Sequence, residues 1–218
     1  MKPVLIYSYD AYCGWCYGFS PVMKEVWDSY HHLLNIEVLS GGMILPEKPV
    51  PISVTAAYIR KAYKQVEAQT GVSFGEEYLW HINNSEESDW YPNSEKPAIA
   101  LCVFKEYFPD LQVSFAAALQ YALHGEGRDL GDDEAYRALL LQLNVDVNEF
   151  YDKLHLQEYK EKAYQEFSLV KQLKVTGYPS LLLQVNESKF YRVAHGYTTF
   201  LIIKNSIESI FKKIGFAE

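Results

Sequence analysis

A C-x-x-C motif a few residues after a predicted strand is the feature that most constrains this chain. The motif is Cys13-Gly14-Trp15-Cys16. It follows residues 3–9, whose apolar, β-branched and aromatic side chains predict a buried strand. Beyond it, residues 17–30 carry apolar side chains at three- and four-residue spacing, which predicts a helix. The two cysteines are therefore expected at a strand-to-helix junction, one helical turn apart.

This placement predicts thiol–disulfide exchange. Unpaired N–H groups and the positive end of the helix dipole favour an anion at a helix N-terminus, where a thiol pKa is commonly lowered. The spacing of the motif brings the second sulfur within joining distance of the first. We therefore expect Cys13 to attack as a thiolate and Cys16 to resolve the mixed disulfide.

Half of a structural zinc site is the alternative interpretation of the pair. Such a site needs further ligands to complete a tetrahedral set. The remaining cysteine, Cys102, lies alone in the apolar helical segment 98–104, which predicts a buried, unreactive thiol. Only His31 and His32 are histidines at ligand spacing. The sequence therefore favours redox chemistry, with no metal and no cofactor beyond the redox-active disulfide.

The pattern of the chain predicts an α/β fold with a large all-helical insertion. Residues 1–43 predict β-α-β, with the second strand at residues 36–40. From residue 44 to residue 157 the periodicity is helical only, at residues 56–69, 74–82, 98–108 and 111–124 and after Asp132 and Asp146. The rest predicts a helix, a β-hairpin and a closing helix, at residues 164–173, 181–185, 190–193 and 200–214.

The acidic composition limits the partners. Among 218 residues, 20 are Lys or Arg and 28 are Asp or Glu, so the formal net charge is −8. Nucleic acids and anionic membranes favour a basic face, so neither is an expected partner. The N-terminal residues contain no long apolar segment with a cleavage site, and we expect a cytoplasmic protein.

A second motif, Gly177-Tyr178-Pro179, precedes the first strand of the predicted hairpin. A trans peptide bond before proline is the usual expectation, although a glycine before it and a strand after it indicate a tight turn. Together with the C-x-x-C and the order of the elements, this segment resembles the cis-proline loop of the thioredoxin superfamily.

The chain as a whole resembles the DsbA-type thioredoxin-fold proteins, in the cytosolic branch of FrnE-like proteins and predicted protein disulfide isomerases. Residues 9–18, Pro21 as a kink in the helix and residues 176–180 carry the resemblance. Proteins of this type carry a helical insertion within a thioredoxin core of order β-α-β-α-β-β-α. The resemblance therefore implies a thioredoxin-like domain of residues 1–43 and 158–218, and an insertion domain of residues 44–157.

The resemblance also implies roles for individual residues. Cys13 is the exposed nucleophile, Cys16 is its buried partner, and Pro179 is cis and packs against the sulfurs. The backbone of Tyr178 pairs with an extended substrate peptide. Substrates are protein or small-molecule disulfides and thiols, with glutathione among the candidates. The candidate substrate-binding residues are Gly14, Trp15, Gly177 and Tyr178.

Trp15 departs from the DsbA pattern, which has histidine before the second cysteine. An indole ring carries no charge and offers only an N–H donor, so it stabilises a thiolate less than an imidazolium does. We therefore expect a couple that is less oxidising than that of DsbA. This favours a reductase or isomerase over a strong oxidase.

Asp10 precedes the motif by three residues and has two interpretations. Its side chain is expected to form an Asx turn that caps the helix start. The alternative is a proton acceptor for Cys16. Tyr12 and Tyr17 either line the substrate groove or pack against the insertion.

Three other functions are compatible with the sequence. The first is a chaperone-like or metal-binding module without turnover, and the second is a stress sensor whose cysteines report oxidation. The third is a relative of the glutathione-dependent isomerases and transferases that share the helical insertion. Those enzymes use serine at the first position of the motif, and the two cysteines here argue against their chemistry.

Overall fold

A four-stranded mixed sheet lies at the centre of the structure, a computed structural model that describes residues 2–216. Its strands are β1 (Val4–Tyr9), β2 (Asn35–Ser40), β3 (Ser180–Asn186) and β4 (Lys189–His195). The order across the sheet is β2-β1-β3-β4. β1 runs parallel to β2 and antiparallel to β3, and β3 pairs with β4 as an antiparallel hairpin. The predicted α/β fold class, a thioredoxin-like core with a helical insertion, is confirmed.

Nine α-helices lie within the described range, and six of them, α2 to α7, separate β2 from the second half of the core. They are α1 (Gly14–Tyr30), α2 (Ser53–Thr70), α3 (Glu76–Asn83), α4 (Glu95–Tyr107), α5 (Gln112–His124), α6 (Glu134–Gln142), α7 (Val147–Leu154), α8 (Gln157–Gln172) and α9 (Phe200–Ile214). None of these helices is long and apolar enough to cross a lipid bilayer.

α8 begins at Gln157, seven residues before the predicted start at Tyr164. The sequence pattern does not predict these first turns because few of their side chains are buried. Only Tyr159 and Ala163 are buried there, and the residues between them are charged. Such a segment has no clear apolar period. At α7 the predicted cap is present, since the Asp146 side chain accepts the Glu149 N–H at 2.9 Å.

Both faces of the sheet are covered by helices. The main core joins the sheet to α1, α9 and the inserted helices. On the opposite face, Val170 of α8 packs in a separate cluster with Ile6, Leu39 and Leu182. Because the strands are buried on both sides, β1 consists almost entirely of apolar and aromatic residues.

A cluster of charged side chains fastens α4 to the core. The Lys105 Nζ lies 2.7 Å from a carboxylate oxygen of Glu37 in β2 and 2.7 Å from one of Glu166 in α8. It also donates to the Val38 carbonyl. Burial acts to lower the pKa of Lys105, but the two carboxylates more than offset this effect and the pKa is raised.

Replacing this lysine by methionine is expected to destabilise the fold. The change leaves the Glu166 carboxylate in a largely buried position without its cation. Removal of one partner from a partly buried pair costs about 2–3 kcal/mol. Urea unfolding of Lys105→Met measures the loss. Lys24→Met is the matched control, because its pair with Asp28 is exposed and contributes below about 1 kcal/mol. Equal losses in the two variants would contradict the role of the cluster.

Candidate active site

Cys13 is the N-cap residue of α1. Its extended backbone, with φ −83° and ψ 107°, turns the side chain back over the first helical turn. The Cys13 Sγ accepts the Cys16 N–H at 3.4 Å, and the Cys13 carbonyl accepts the Tyr17 N–H at 3.0 Å. The sulfur therefore lies over the N-terminal turn of α1, where the first backbone N–H groups of the helix have no partner within the helix.

The two sulfurs of the motif are unjoined thiols in different surroundings. Cys16 is fully buried, whereas Cys13 is 6% exposed at the floor of a cleft. The exposed Cys13 that the resemblance implies is therefore wrong: the residue lines the cleft but is buried, because the loop before β3 lies against its sulfur. Burial, and then the neighbouring Cys13, raise the pKa of Cys16 well above its ordinary value. Cys16 is therefore held as a thiol while the dithiol state persists.

The loop before β3 faces the Cys13 sulfur. The Tyr178–Pro179 peptide bond is cis, as the resemblance implies. The Cys13 Sγ donates to the Tyr178 carbonyl at 3.7 Å. The Tyr178 hydroxyl donates to the Gly41 carbonyl at 2.8 Å, and a Cβ at Gly41 would lie 2.1 Å from the tyrosine ring. Glycine at position 41 therefore lets this ring anchor the loop after β2.

The Asp10 carboxylate forms the predicted Asx turn but does not cap α1. Its Oδ1 accepts the Tyr12 N–H at 3.0 Å and the Ser94 hydroxyl at 2.9 Å, while Oδ2 accepts the Met43 N–H at 2.7 Å. The prediction of a cap is wrong because the Cys13 side chain occupies that position. Asp10 contributes its backbone carbonyl instead, which accepts the Cys13 N–H at 3.1 Å.

Burial raises the pKa of Asp10, and the hydrogen bonds from Met43, Tyr12 and Ser94 partly offset this effect. Ser94 belongs to the insertion, where it opens α4. The carboxylate thus connects the loop before Cys13 to the inserted helices. Its role as a proton acceptor for Cys16 stays a prediction.

The residues between the cysteines meet side chains from other elements. Trp15 is half-buried, with its ring centroid 6.3 Å from that of Tyr197. A Cβ on Gly14 would lie 3.3 Å from the Phe74 ring, so glycine allows this ring to approach the motif. In the loop before β3, a Cβ on Gly177 would lie 3.5 Å from the His195 ring.

Tyr12 and Tyr17 divide between the two roles that the sequence left open. Tyr12 lines the cleft beside Cys13. The Tyr17 ring packs against Phe74 and the Tyr17 hydroxyl donates to the Ser73 carbonyl at 3.0 Å, both before α3 in the insertion.

Cys102 is buried in α4, as expected from its apolar segment. Its thiol donates to a carboxylate oxygen of Glu166 at 3.6 Å. Burial, and then the charge of Glu166, raise the pKa of Cys102. Within residues 2–216, no group of three or more His, Cys, Asp and Glu side chains could hold a metal ion.

A cleft of about 460 Å³ opens over Cys13, between the cis-proline loop and the inserted helices. The sequence analysis did not predict which residues form its far wall. The wall is one face of α2, where cleft-lining residues recur at three- and four-residue spacing: Thr55, Tyr58, Ile59, Ala62, Tyr63 and Val66. The signal was present as an apolar period. The same period is typical of a core-facing helix, and only packing distinguishes the two.

Solved structures with this architecture cover nearly the whole chain. A candidate protein disulfide isomerase from Nitrosomonas europaea is 22% identical, with a TM-score of 0.85 over 98% of this chain and 99% of that chain. The cytosolic disulfide reductase DsbM from Pseudomonas aeruginosa is 21% identical, with a TM-score of 0.71 over 98% of this chain and 100% of that chain. At these identities the likeness shows the fold.

The same DsbM protein with GSH matches with a TM-score of 0.69 and 21% identity, over 97% of this chain and 98% of that chain. No curated protein sequence matches this chain at a significant level. The model of the DSBA-like thioredoxin domain family matches residues 4–198. The chain therefore belongs to the DSBA-like thioredoxin domain family, and it is a thiol–disulfide oxidoreductase.

Proposed function

We propose that this protein exchanges disulfides through Cys13 and Cys16, as a reductase or isomerase more than as a strong oxidase. The observation that carries the proposal is the position of the Cys13 sulfur. It lies at the helix N-terminus, accepts the Cys16 N–H at 3.4 Å and lines the cleft. No cofactor other than the disulfide of the two cysteines is required.

Attack begins at Cys13. Its thiolate displaces one sulfur of a substrate disulfide and forms a mixed disulfide with the other, which releases the first substrate thiolate. Cys16 then loses its proton and attacks the Cys13 sulfur. The product is a Cys13–Cys16 disulfide and a second substrate thiol. The neighbouring Cys16 resolves the intermediate because its sulfur is one helical turn away.

The cis-proline loop would hold the substrate. The Tyr178 backbone is placed beside the Cys13 sulfur, and its carbonyl accepts the Cys13 S–H at 3.7 Å. We propose that an extended substrate backbone pairs with this segment, and that Gly14, Trp15 and Gly177 line the contact. Gly14 and Gly177 have no Cβ, so a main chain can approach closely there.

The reduction potential tests the direction of the reaction. We expect a value nearer to that of thioredoxin, about −270 mV, than to that of DsbA, about −120 mV. Equilibration with glutathione buffers, followed by trapping of free thiols with a mass tag, measures it. Trp15→His is expected to make the couple more oxidising by about 30 mV or more, which corresponds to about 1.4 kcal/mol.

Trp15→Phe is the matched control, because it removes the indole without adding a titratable ring. A wild-type potential near that of DsbA would contradict the reductase or isomerase assignment. Equal potentials for the two Trp15 variants would contradict the role given to the uncharged side chain. If the cysteines never form a disulfide, the exchange mechanism fails.

Three further assignments rest on the resemblance and on the neighbouring structures. We propose a cytoplasmic location, supported by the cytosolic DsbM reductase. Glutathione is a candidate substrate, supported by the structure of DsbM with GSH. We also propose that residues 1–43 and 158–218 form one domain and that residues 44–157 form another.

A further inference from the structure

The cleft over Cys13 is uncharged along its whole lining. Seventeen residues of the described chain line it, and none of them is Asp, Glu, Lys, Arg or His. Its volume, about 460 Å³, is typical of a site for a small organic group. Any part of a substrate that enters beside the sulfur therefore meets apolar and aromatic side chains.

The far wall presents apolar surface that the core does not cover. In α2 only Ala56 and Val66 are buried. Tyr58 is 69% exposed, and Ile59 and Tyr63 are half-buried, although all three line the cleft. Exposed aromatic and branched side chains on the wall of a catalytic cleft are suited to cover an apolar group of the substrate.

A second apolar groove continues the cleft along the segment after β2. The two share Met43, Ile44 and Thr55 as lining residues. Beyond them the groove is lined by Leu45 and Val50, which are 37% and 38% exposed. The apolar surface thus extends away from Cys13 on the side of the inserted helices.

Glutathione stays a candidate substrate, but we expect it to react more slowly than an apolar disulfide, because this lining offers its charged groups no charged partner. Glutathione carries two carboxylates and an ammonium group, and a charge that leaves water without a partner is penalised. An aromatic ring or a branched alkyl group gains free energy on the same transfer. From the cleft we infer that the preferred substrates are disulfides whose sulfur bears an aromatic or branched apolar group a few bonds away. This inference rests on the proposed exchange function and narrows its substrate class.

The reaction balances without any bound group. The substrate disulfide RS–SR accepts two electrons and leaves as two RSH, while Cys13 and Cys16 lose two electrons and two protons and form their disulfide. An external dithiol then reduces the Cys13–Cys16 disulfide to two thiols, and the external dithiol is itself oxidised to a disulfide. The apolar group R contacts the α2 wall while its sulfur is bonded to Cys13.

Matched disulfides test the preference. Reduced full-length protein is mixed with cystamine acylated by phenylacetyl groups or by succinyl groups, two disulfides that share the two-carbon cysteamine unit next to the sulfur and differ only in the acyl group. Oxidised acetyl-Phe-Cys-amide and acetyl-Glu-Cys-amide form a peptide pair, and oxidised glutathione is the reference. Each rate is divided by that of the uncatalysed reaction with dithiothreitol. We expect the apolar member of each pair to react about tenfold faster or more.

Two alanines on α2 provide matched variants. Ala62 lines the cleft, whereas Ala57 is exposed on the same helix and does not line it. Ala62→Asp is expected to lower the ratio of the apolar to the acidic rate about fivefold or more. Ala57→Asp should leave the ratio at the wild-type value. Circular dichroism on both variants checks that α2 still folds.

The outcomes separate the inference from the proposed function. Equal rates within both pairs, or a faster reaction with oxidised glutathione, would overturn the preference while exchange itself stands. If no disulfide oxidises the protein, both the exchange function and the preference fail. A faster reaction of the apolar member in both pairs supports the inference and shows that the apolar group is recognised without a polypeptide around it. A preference in the peptide pair only supports the inference with a polypeptide as the source of that group.

Discussion

Replacement of Cys13 by serine is expected to lower the turnover of disulfide substrates by at least about 10³-fold. A serine hydroxyl is not ionised at neutral pH and cannot attack a disulfide sulfur as a thiolate does. Burial holds the Cys16 thiol protonated, so it does not replace the lost nucleophile. Reduction of a disulfide peptide, with dithiothreitol as the electron donor, measures the loss.

Cys16→Ser is expected to have the complementary effect. Cys13 still attacks, but no thiol one turn away resolves the intermediate, so a mixed disulfide with the substrate accumulates. Intact mass spectrometry would show the protein with one substrate thiol attached. The control is Cys102→Ser, which should retain wild-type turnover because that buried thiol lies outside the cleft lining. Retained turnover in Cys13→Ser would refute the mechanism.

Acid is expected to destabilise the fold through His124, the last residue of α5. Its ring is buried against Tyr17, Phe74 and Tyr78, with centroid distances of 5.2, 5.4 and 4.9 Å. Neither ring nitrogen has a hydrogen-bond partner of standard geometry among residues 2–216. Burial lowers the pKa of His124 to about 3, although the Ala11 backbone partly offsets the effect.

The sign of the pH effect follows from the neutral ring. Between pH 6.5, the ordinary pKa of histidine, and about pH 3, the unfolded chain binds a proton that the folded protein does not. The free energy of unfolding is therefore unaffected by this group above pH 6.5 and falls as the pH is lowered below it. By pH 4 the loss from His124 alone is about 3 kcal/mol.

Urea unfolding at pH 7 and pH 4 measures this loss. His124→Phe keeps an aromatic ring in the cluster and removes the titration, so its stability should fall about 3 kcal/mol less than that of the wild type. His32→Phe is the control, since this ring is exposed, and it should keep the wild-type dependence. The same dependence in His124→Phe as in the wild type would show that other groups control acid unfolding.

Much of the fold could be predicted because its elements have regular periods and clear boundaries. Residues 200–214 were predicted as a helix and form α9, whose apolar residues recur with the helical period. β1 was predicted from a short apolar run that ends at Tyr9, a few residues before the C-x-x-C. The start of α8 was missed, because a charged and exposed first turn has no apolar period.

At the site, contacts between segments that are distant in the chain determine more of the geometry than the local sequence does. The Asx turn of Asp10 is a local pattern and was predicted, whereas the bonds of its carboxylate to Ser94 and Met43 join segments far apart in the chain. Cys13, and not Asp10, caps α1. Either side chain could accept a backbone N–H of the first turn, and only the three-dimensional geometry decides which one does.

The sequence by itself determined the order of the elements and the position of the cysteine pair at the N-terminus of α1. Both follow from residue periodicity and spacing, which act within a few turns of chain. Only the tertiary structure decided which face of α2 lies over Cys13, how far the cysteines are covered and where Tyr178 is anchored. These features depend on contacts between residues distant in sequence, such as Tyr178 with Gly41, whose formation requires the packed core.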